Sequence, residues 1–253
     1  ETLELRLKAL RLTSFLAHYA GLAEQAAKGG WSHVHYLDEL AGIEAEDRAE
    51  RRIARLLTQS KLPRTKTLAT LERDRFAMPV RTQIARLAEG EFLEGATNLC
   101  IFGNPGTGKT HVMAAIGNAL VRQGRTVWFT PVSQLVERLL EAKRDLRLSR
   151  ELRRLDRFDC LALDDIGYVQ HDRAEMEVLF AVLAERYERK SVMITSNLVF
   201  SKWDQIFKDA MTTAAAIDRV VHHSVILELN VKSYRAEAAK ARVPKKRPQE
   251  TSS

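Results

Sequence analysis

The sequence predicts an α/β protein in which a parallel sheet, covered by helices on both faces, follows a small all-helical domain. Beyond about residue 80, short apolar runs alternate with helical stretches, and this alternation is typical of parallel strands joined by crossover helices. Before that point, apolar residues recur every three or four positions, as in amphipathic helices. The predicted strands are 98–102, 126–130, 158–163, 191–195 and 224–229.

The helical domain is predicted to occupy the first 66 residues. Apolar residues from Leu5 to Leu22 have helical spacing, and we expect one helix that ends near Gly29-Gly30. Ser32 is placed to cap a second helix, which continues to Leu62-Pro63. A polar, irregular stretch between this junction and Pro79 indicates a domain boundary. At the other end, residues 243–253 read as a disordered basic tail.

The composition indicates a soluble protein with an affinity for polyanions. Forty Lys and Arg against 33 Asp and Glu give a formal net charge of +7, and the pI is near 9.5. No apolar run approaches the roughly 18 residues of a membrane helix. We therefore expect a cytoplasmic location and no membrane partner. Cys100 and Cys160 both lie in apolar segments and are interpreted as buried residues without a catalytic role.

A glycine-rich loop between a predicted strand and a predicted helix carries the strongest functional signal. Glycines let a backbone approach phosphates closely, and the following helix 109–122 directs its N-terminus at them. Lys109 is then placed to reach the β- and γ-phosphates, and Thr110 to bind Mg²⁺. The alternative is a glycine-rich turn before a helix. The predicted nucleotide-binding residues here are Gly103, Asn104, Pro105, Gly106, Thr107, Gly108, Lys109, Thr110 and His111.

Two acidic residues and one amide follow later strands of the predicted sheet. Asp164 comes after the strand 158–163, as in a Walker B segment, and is predicted to hold Mg²⁺. Asp165 is the candidate for polarising the attacking water. Asn197 ends the next strand and is a candidate for contacting the γ-phosphate or that water. An acidic turn and an ordinary turn-forming Asn are the structural alternatives.

The order of these motifs resembles the AAA+ ATPases of the IstB/DnaC group. It comprises the P-loop, Asp164-Asp165, Ser196-Asn197, Ile217-Asp218-Arg219 and Ser233-Tyr234-Arg235. The helical start, Tyr36-Leu37-x-x-Leu40, Leu62-Pro63 and Asn98-Leu99 look most like IstB, the helper ATPase of an insertion sequence. The resemblance covers nearly the whole chain and implies a three-layer P-loop AAA+ fold.

The resemblance also implies two arginine roles and an assembly. Arg219 matches the position of an arginine finger, which reaches the γ-phosphate bound by a neighbouring subunit and is counted among the catalytic residues. Arg235 matches a sensor arginine that contacts the bound nucleotide. Each arginine has a surface salt bridge as its alternative. If Arg219 acts between subunits, the active form is a homo-oligomer.

Two clusters of basic residues are candidates for DNA contacts. Lys and Arg side chains on phosphates bind duplex without reading its sequence, whereas a solvated helix face is the alternative. The first cluster closes the helical domain and the second follows the second predicted strand. Their members are Arg51, Arg52, Arg55, Lys61, Arg64 and Lys66, and then Lys143, Arg144, Arg147 and Arg150, with further arginines up to Arg157.

Three functions remain open on the sequence. The first is an Mg-dependent ATPase that assembles on duplex DNA and recruits or stimulates the transposase of the same insertion sequence. The second is a DnaC-like loader of a replicative helicase, and the third is a P-loop kinase of small molecules. For the first function, residues 1–66 bind DNA or a partner, and residues 67–242 form the AAA+ ATPase domain.

Overall fold

The computed structural model describes residues 2–166, 172–205, 220–221, 223–234 and 237. The chain divides into two compact units, Glu1–Leu56 and Leu57–Ser253. None of the helices in the described part of the chain is long and apolar enough to cross a membrane.

The first unit is built from helices α1 (Leu3–Ala9) and α2 (Thr13–Gly29) and from most of α3 (His33–Ser60). The single helix predicted to start at Leu5 is therefore wrong, because the chain turns between α1 and α2. Arg11 takes a left-handed φ of 55° at this turn. The apolar spacing continues across the turn because α1 packs against α2. The predicted cap is present, since Ser32 Oγ accepts the backbone N–H of His35 at 3.1 Å.

A buried carboxylate joins α2 to α3 in this unit. Glu44 Oε2 accepts the backbone N–H of Ser14 at 2.8 Å, and Glu44 Oε1 accepts Arg48 Nε at 2.5 Å. Arg51 lies 3.5 Å from the same carboxylate. Burial by itself raises the pKa of Glu44, but the hydrogen bonds from Arg48, Ser14 and Phe15 outweigh burial and lower it. The charged form of Glu44 therefore stabilises the pairing of these helices.

The second unit contains a five-stranded parallel sheet in the order β2-β3-β4-β1-β5. Every predicted strand is present with bounds within two residues, and the predicted helix 109–122 is present with the same bounds. These elements are α4 (Met78–Glu89), β1 (Asn98–Phe102), α5 (Lys109–Arg122), β2 (Val127–Pro131), α6 (Val132–Arg144), α7 (Leu148–Leu155), β3 (Cys160–Asp164), α8 (Arg173–Arg186), β4 (Ser191–Ser196) and β5 (Ser224–Glu228).

Helices cover the sheet on both faces. Cys100 and Phe102 of β1 belong to one core cluster with α6 and α8. Leu99 and Ile101 alternate with them, so they point to the other face, where α5 crosses the strands and packs against α4. Both faces of the central strands are thus buried, which is why their sequences read as continuous apolar runs. Burial raises the pKa of the Cys100 and Cys160 thiols to about 12.

Candidate nucleotide-binding site and basic groove

The glycine loop lies at the carboxyl end of β1, where open α/β sheets place their ligands. Gly106 and Gly108 take left-handed φ values of 84° and 94°. A Cβ atom on Gly103 would lie only 2.9 Å from the carbonyl oxygen of Leu229, so this position is closed to larger residues. Lys109 Nζ donates to the carbonyl of Gly103 at 2.8 Å and to that of Asn104 at 3.2 Å. The ammonium group therefore lies over the loop that is expected to hold phosphates.

The predicted magnesium ligands are in direct contact. Thr110 Oγ1 donates to both carboxylate oxygens of Asp164 at 3.0 Å, across the gap between α5 and the end of β3. Among the described residues, no group of three or more His, Cys, Asp and Glu forms a metal cage. A hydroxyl and one carboxylate fit Mg²⁺, because this ion takes most of its ligands from water and substrate phosphates in ATPases. Thr110 and Asp164 therefore fit an Mg²⁺ ion that binds together with a nucleotide.

Thr195, which the sequence analysis did not select, connects the ends of β3 and β4. Its hydroxyl donates to Asp164 Oδ1 at 2.6 Å and accepts the backbone N–H of Asp165 at 2.8 Å. Asp165 itself takes a left-handed φ of 66°, an unfavourable backbone conformation for a non-glycine residue. One buried hydroxyl thus holds the carboxylate of Asp164 and the backbone of Asp165 in the predicted Walker B segment.

Asn197 lies beside these residues and has an unpaired polar atom. Its Oδ1 atom is buried and has no hydrogen-bond partner among the described residues. A buried carbonyl oxygen without a donor costs free energy, so a native protein usually keeps one where a ligand or water supplies the donor. Asn197 also lines a cavity of about 350 Å³ to which the glycine loop contributes.

The other end of this cavity is formed by residues that the sequence analysis assigned elsewhere or missed. Lys66 and Leu71 line it from the segment before α4, together with His111 and Tyr234. Asn118 of α5 fixes this segment, because its Nδ2 donates to the carbonyls of Pro63 at 3.2 Å and Lys66 at 2.9 Å. Lys66 was predicted to contact DNA, and the structure places it on the cavity wall.

His111 and Tyr234 close the cavity in different ways. His111 Nε2 lies 3.2 Å from Thr70 Oγ1. Burial and the charge of Lys66 lower the pKa of His111, so the imidazole is neutral at pH 7. The backbone N–H of Tyr234 donates to the Gly106 carbonyl at 2.9 Å, and Arg75 stacks on its ring at 3.6 Å. The two contacts of Tyr234 span more than 100 residues of sequence, so no local pattern reveals them.

Two predicted residues of this site, Arg219 and Arg235, lie outside the described residues, as does the tail 243–253. Their roles stay predictions.

The second basic cluster forms an open groove on α6 and α7. The groove has a volume of about 1110 Å³ and is lined by six arginines, Arg138, Arg147, Arg150, Arg153, Arg154 and Arg157. Glu151 accepts Arg138 at 2.5 Å and Arg154 at 3.0 Å, and Asp145 pairs with Arg147. Lys143 pairs with Glu177 at 2.8 Å. Arg144, Arg150, Arg153 and Arg157 are exposed and make no ion pair with a described residue.

The first basic cluster is arranged differently. Arg51 lies in the first unit, where it approaches Glu44 and donates to Thr13. Arg64 donates to Thr58 Oγ1 at 2.8 Å. Arg52, Arg55 and Lys61 are exposed. The residues of this cluster fall on both units, whereas the groove on α6 and α7 lies within one unit.

The sheet order, the glycine loop and the contact between Thr110 and Asp164 define a P-loop ATP-binding protein of the AAA+ class. The family described as IstB-like ATP binding protein matches residues 5–241, and the chain belongs to this family.

Two curated relatives are similar over most of their length. One is an insertion sequence ATP-binding protein of Sinorhizobium fredii (y4iQ/y4nD/y4sD), 43% identical over 238 residues, which are 94% of this chain and 80% of the relative. The other is the IS21 insertion sequence ATP-binding protein of Pseudomonas aeruginosa, 36% identical over 233 residues, which are 92% of this chain and 88% of the relative.

A solved structure of DnaI has the same fold. It superposes with a TM-score of 0.57 over 67% of this chain and 95% of the DnaI chain, at 21% sequence identity. At this identity the similarity concerns the fold alone. The predicted α/β P-loop AAA+ fold is confirmed.

Proposed function

We propose that this protein is an ATP-dependent helper of transposition that assembles on duplex DNA and recruits or stimulates the transposase of its insertion sequence. The names of the relatives associate them with insertion sequences and ATP. The observation that carries the proposal is that one unit holds both a nucleotide cavity and a groove with unpaired arginines. Such arginines bind DNA through phosphates, without regard to sequence.

In this proposal the protein hydrolyses ATP with residues of the described cavity. Lys109 binds the β- and γ-phosphates, while Thr110 and Asp164 hold Mg²⁺, which when bound supplies positive charge to these phosphates. Asp165 accepts a proton from the attacking water, and Asn197 orients that water through its unpaired Oδ1 atom. The buried hydroxyl of Thr195 holds the Asp164 carboxylate and the backbone of Asp165 in place.

The proposal includes a homo-oligomer in which Arg219 of one subunit completes the site of the next. A guanidinium at the γ-phosphate stabilises the charge of the transition state. Arg219→Ala should then bind ATP normally but lose hydrolysis. Mixed with Lys109→Ala, which offers an intact Arg219, it should regain part of the turnover. A mixture as inactive as its components would exclude an arginine finger acting between subunits.

A loader of a replicative helicase is the second candidate, because a solved structure of the DnaC helicase loader shares this fold. The two functions differ in their partners. In the presence of an ATP analogue, the purified protein is tested for binding to the transposase of its element and to a replicative helicase. Its affinity for duplex and for single-stranded DNA is measured by titration. The transposition helper should bind duplex and the transposase. Capture of the helicase without duplex affinity would favour the loader.

A further inference from the structure

The turn between α6 and α7 carries an unusual leucine. α6 ends in a Schellman arrangement, in which the N–H of Arg147 donates to the carbonyl of Ala142 at 2.7 Å and the N–H of Leu146 to that of Lys143 at 3.1 Å. Leu146 occupies the left-handed position of this motif with a φ of 57°. Glycine is the usual residue there because a side chain strains this conformation.

Leu146 gains no burial in return for this strain. Its side chain is 95% exposed, more than that of any other large apolar residue in the described part of the chain. The other described non-glycine residues with a left-handed φ carry polar or very small side chains. They are Arg11, Lys61, Ala96, Asp165 and Glu188. The left-handed backbone at Leu146 costs the isolated protein free energy that no side-chain packing offsets, and backbone strain of this kind is concentrated at functional sites.

The surroundings of Leu146 are cationic. Arg144 precedes it by two residues, and Arg150 lies in the first turn of α7, and both are exposed without an ion pair to a described residue. Arg153 and Arg157 continue this charge along the outer side of the groove. An apolar protein partner would strip water from these cations without replacing it, whereas DNA offers phosphates to the arginines and stacked bases to the leucine.

Helices α6 and α7, which flank Leu146, are held by ion pairs and hydrogen bonds. Glu151 of α7 accepts Arg138 of α6 at 2.5 Å. At the end of α7, the guanidinium of Arg186, only 2% exposed, donates to the carbonyls of Leu155, Phe158, Asp159 and Ser191 at 3.0 to 3.2 Å. Contacts of this kind make α6 and α7 a rigid base for Leu146. A rigid base lets the side chain enter a base-pair step without displacement of the helices.

We propose that Leu146 is an apolar wedge that enters a base-pair step of duplex DNA while the neighbouring arginines hold the flanking phosphates. The inference rests on the proposed binding of duplex DNA and adds how that DNA is deformed. Leucine is among the residues that other proteins insert between base steps, which unstacks and kinks the duplex. Insertion reads no base edges, so it suits a protein that binds many sequences and favours flexible steps.

The test uses the whole protein, a non-hydrolysable ATP analogue and a short duplex that carries 2-aminopurine, whose fluorescence rises when it is unstacked. End-to-end energy transfer on the same duplex reports bending. Leu146→Gly removes the wedge and relieves the backbone strain, so its melting temperature should not fall. Leu146→Ala removes the wedge alone. Met78→Ala is the matched control, since Met78 is 68% exposed on α4, which packs near the β5 edge of the sheet, opposite the β2 edge where α6 lies.

The wild type and Met78→Ala should raise 2-aminopurine fluorescence and shorten the end-to-end distance. Both Leu146 variants should lose these signals yet keep the salt dependence of binding, because the phosphate contacts remain. Signals that persist in both Leu146 variants would overturn the wedge while leaving DNA binding intact. Loss of transposase binding with unchanged DNA signals would overturn it in favour of a protein contact. A wild type that binds no duplex would refute the proposed function itself.

Discussion

Asp165 is the residue on which the proposed hydrolysis depends most directly. Asp165→Ala should leave ATP affinity nearly unchanged, because the glycine loop and Lys109 remain. Hydrolysis should fall by about 10²-fold or more, the usual effect of losing a general base. Turnover is measured by phosphate release and affinity with a fluorescent ATP analogue. Since ATP then persists in the site, the variant should stay longer on DNA. A variant that hydrolyses ATP at the normal rate would remove Asp165 from the mechanism.

A substitution at Thr195 tests whether hydrolysis depends on how Asp164 and Asp165 are positioned. Thr195→Val keeps the shape but removes the hydroxyl that donates to Asp164 and accepts from the N–H of Asp165. We expect hydrolysis to fall while ATP still binds, and the free energy of unfolding to decrease by about 1 kcal/mol because a partly buried N–H loses its acceptor.

Thr130→Val is the matched control for this substitution. Thr130 is also buried near a strand end, and its hydroxyl donates to the Pro131 carbonyl at 3.2 Å rather than to Asp164 or Asp165. It should lose some stability and keep its turnover. Equal loss of turnover in the two variants would mean that Thr195 acts only through the stability of the sheet.

The residues of the site divide into those that local sequence reveals and those that it does not. Lys109, Thr110 and Asp164 were predicted because glycine spacing and a strand-ending carboxylate are local patterns. Thr195 was missed because its importance comes from β3 and β4 lying side by side, 30 residues apart in sequence. Tyr234 was assigned only to a motif, since its contacts with the glycine loop and Arg75 depend on the folded chain.

At the scale of elements, the pairing of α2 with α3 depends on the charge of Glu44. The pKa of Glu44 is lowered in the folded state, so its contribution to stability is complete above the usual Glu pKa and is lost as the pH falls through the lowered value. Glu44→Ala should leave the backbone N–H groups of Ser14 and Phe15 without an acceptor and Arg48 without its carboxylate partner. We expect a loss of about 1–3 kcal/mol, seen as faster amide exchange in α2.

Glu46→Ala is the control for Glu44, because Glu46 is exposed on the same helix. It should change stability by less than about 0.5 kcal/mol. The difference between the two variants should disappear at a pH below the lowered pKa, where Glu44 is protonated in the wild type as well. If the difference persisted there, packing rather than charge would hold α2 to α3.

α7 should supply phosphate contacts one arginine at a time. Arg150→Ala and Arg153→Ala should each weaken duplex binding to a similar extent for all sequences and reduce the slope of log affinity against log salt by about one. Arg86→Ala is the control, since Arg86 is exposed on α4, next to β5 at the other edge of the sheet. Unchanged salt slopes in both α7 variants would show that DNA does not lie in this groove.

Strand and helix bounds were predictable because they depend on apolar runs and glycines. Every strand of the sheet was predicted within two residues, and α5 with its bounds. The break between α1 and α2 could not be predicted, because both helices have apolar residues at the same spacing. The residue with the left-handed φ at the turn is Arg11, whereas a glycine there would have indicated a turn. The spacing of apolar residues shows which side of the chain is buried. It does not reveal a turn after which the same side remains buried.

At the scale of the whole molecule, the proposed function makes this protein an ATP-controlled switch for DNA binding. The nucleotide cavity and the basic groove lie on the same unit, the cavity at the carboxyl end of β1 and the groove on α6 and α7. For ATP to control DNA binding, the two sites must be coupled by a free energy of about 1–3 kcal/mol, which corresponds to roughly 5- to 150-fold in affinity.

The most direct test is the anisotropy of a fluorescent duplex titrated with wild-type protein and with Lys109→Ala, with and without a non-hydrolysable ATP analogue. The account predicts that the analogue tightens binding by the wild type about tenfold or more. It also predicts that Lys109→Ala binds weakly in both conditions, because it cannot hold the phosphates. Equal affinity of the wild type with and without the analogue would contradict the claim that this ATP site controls DNA.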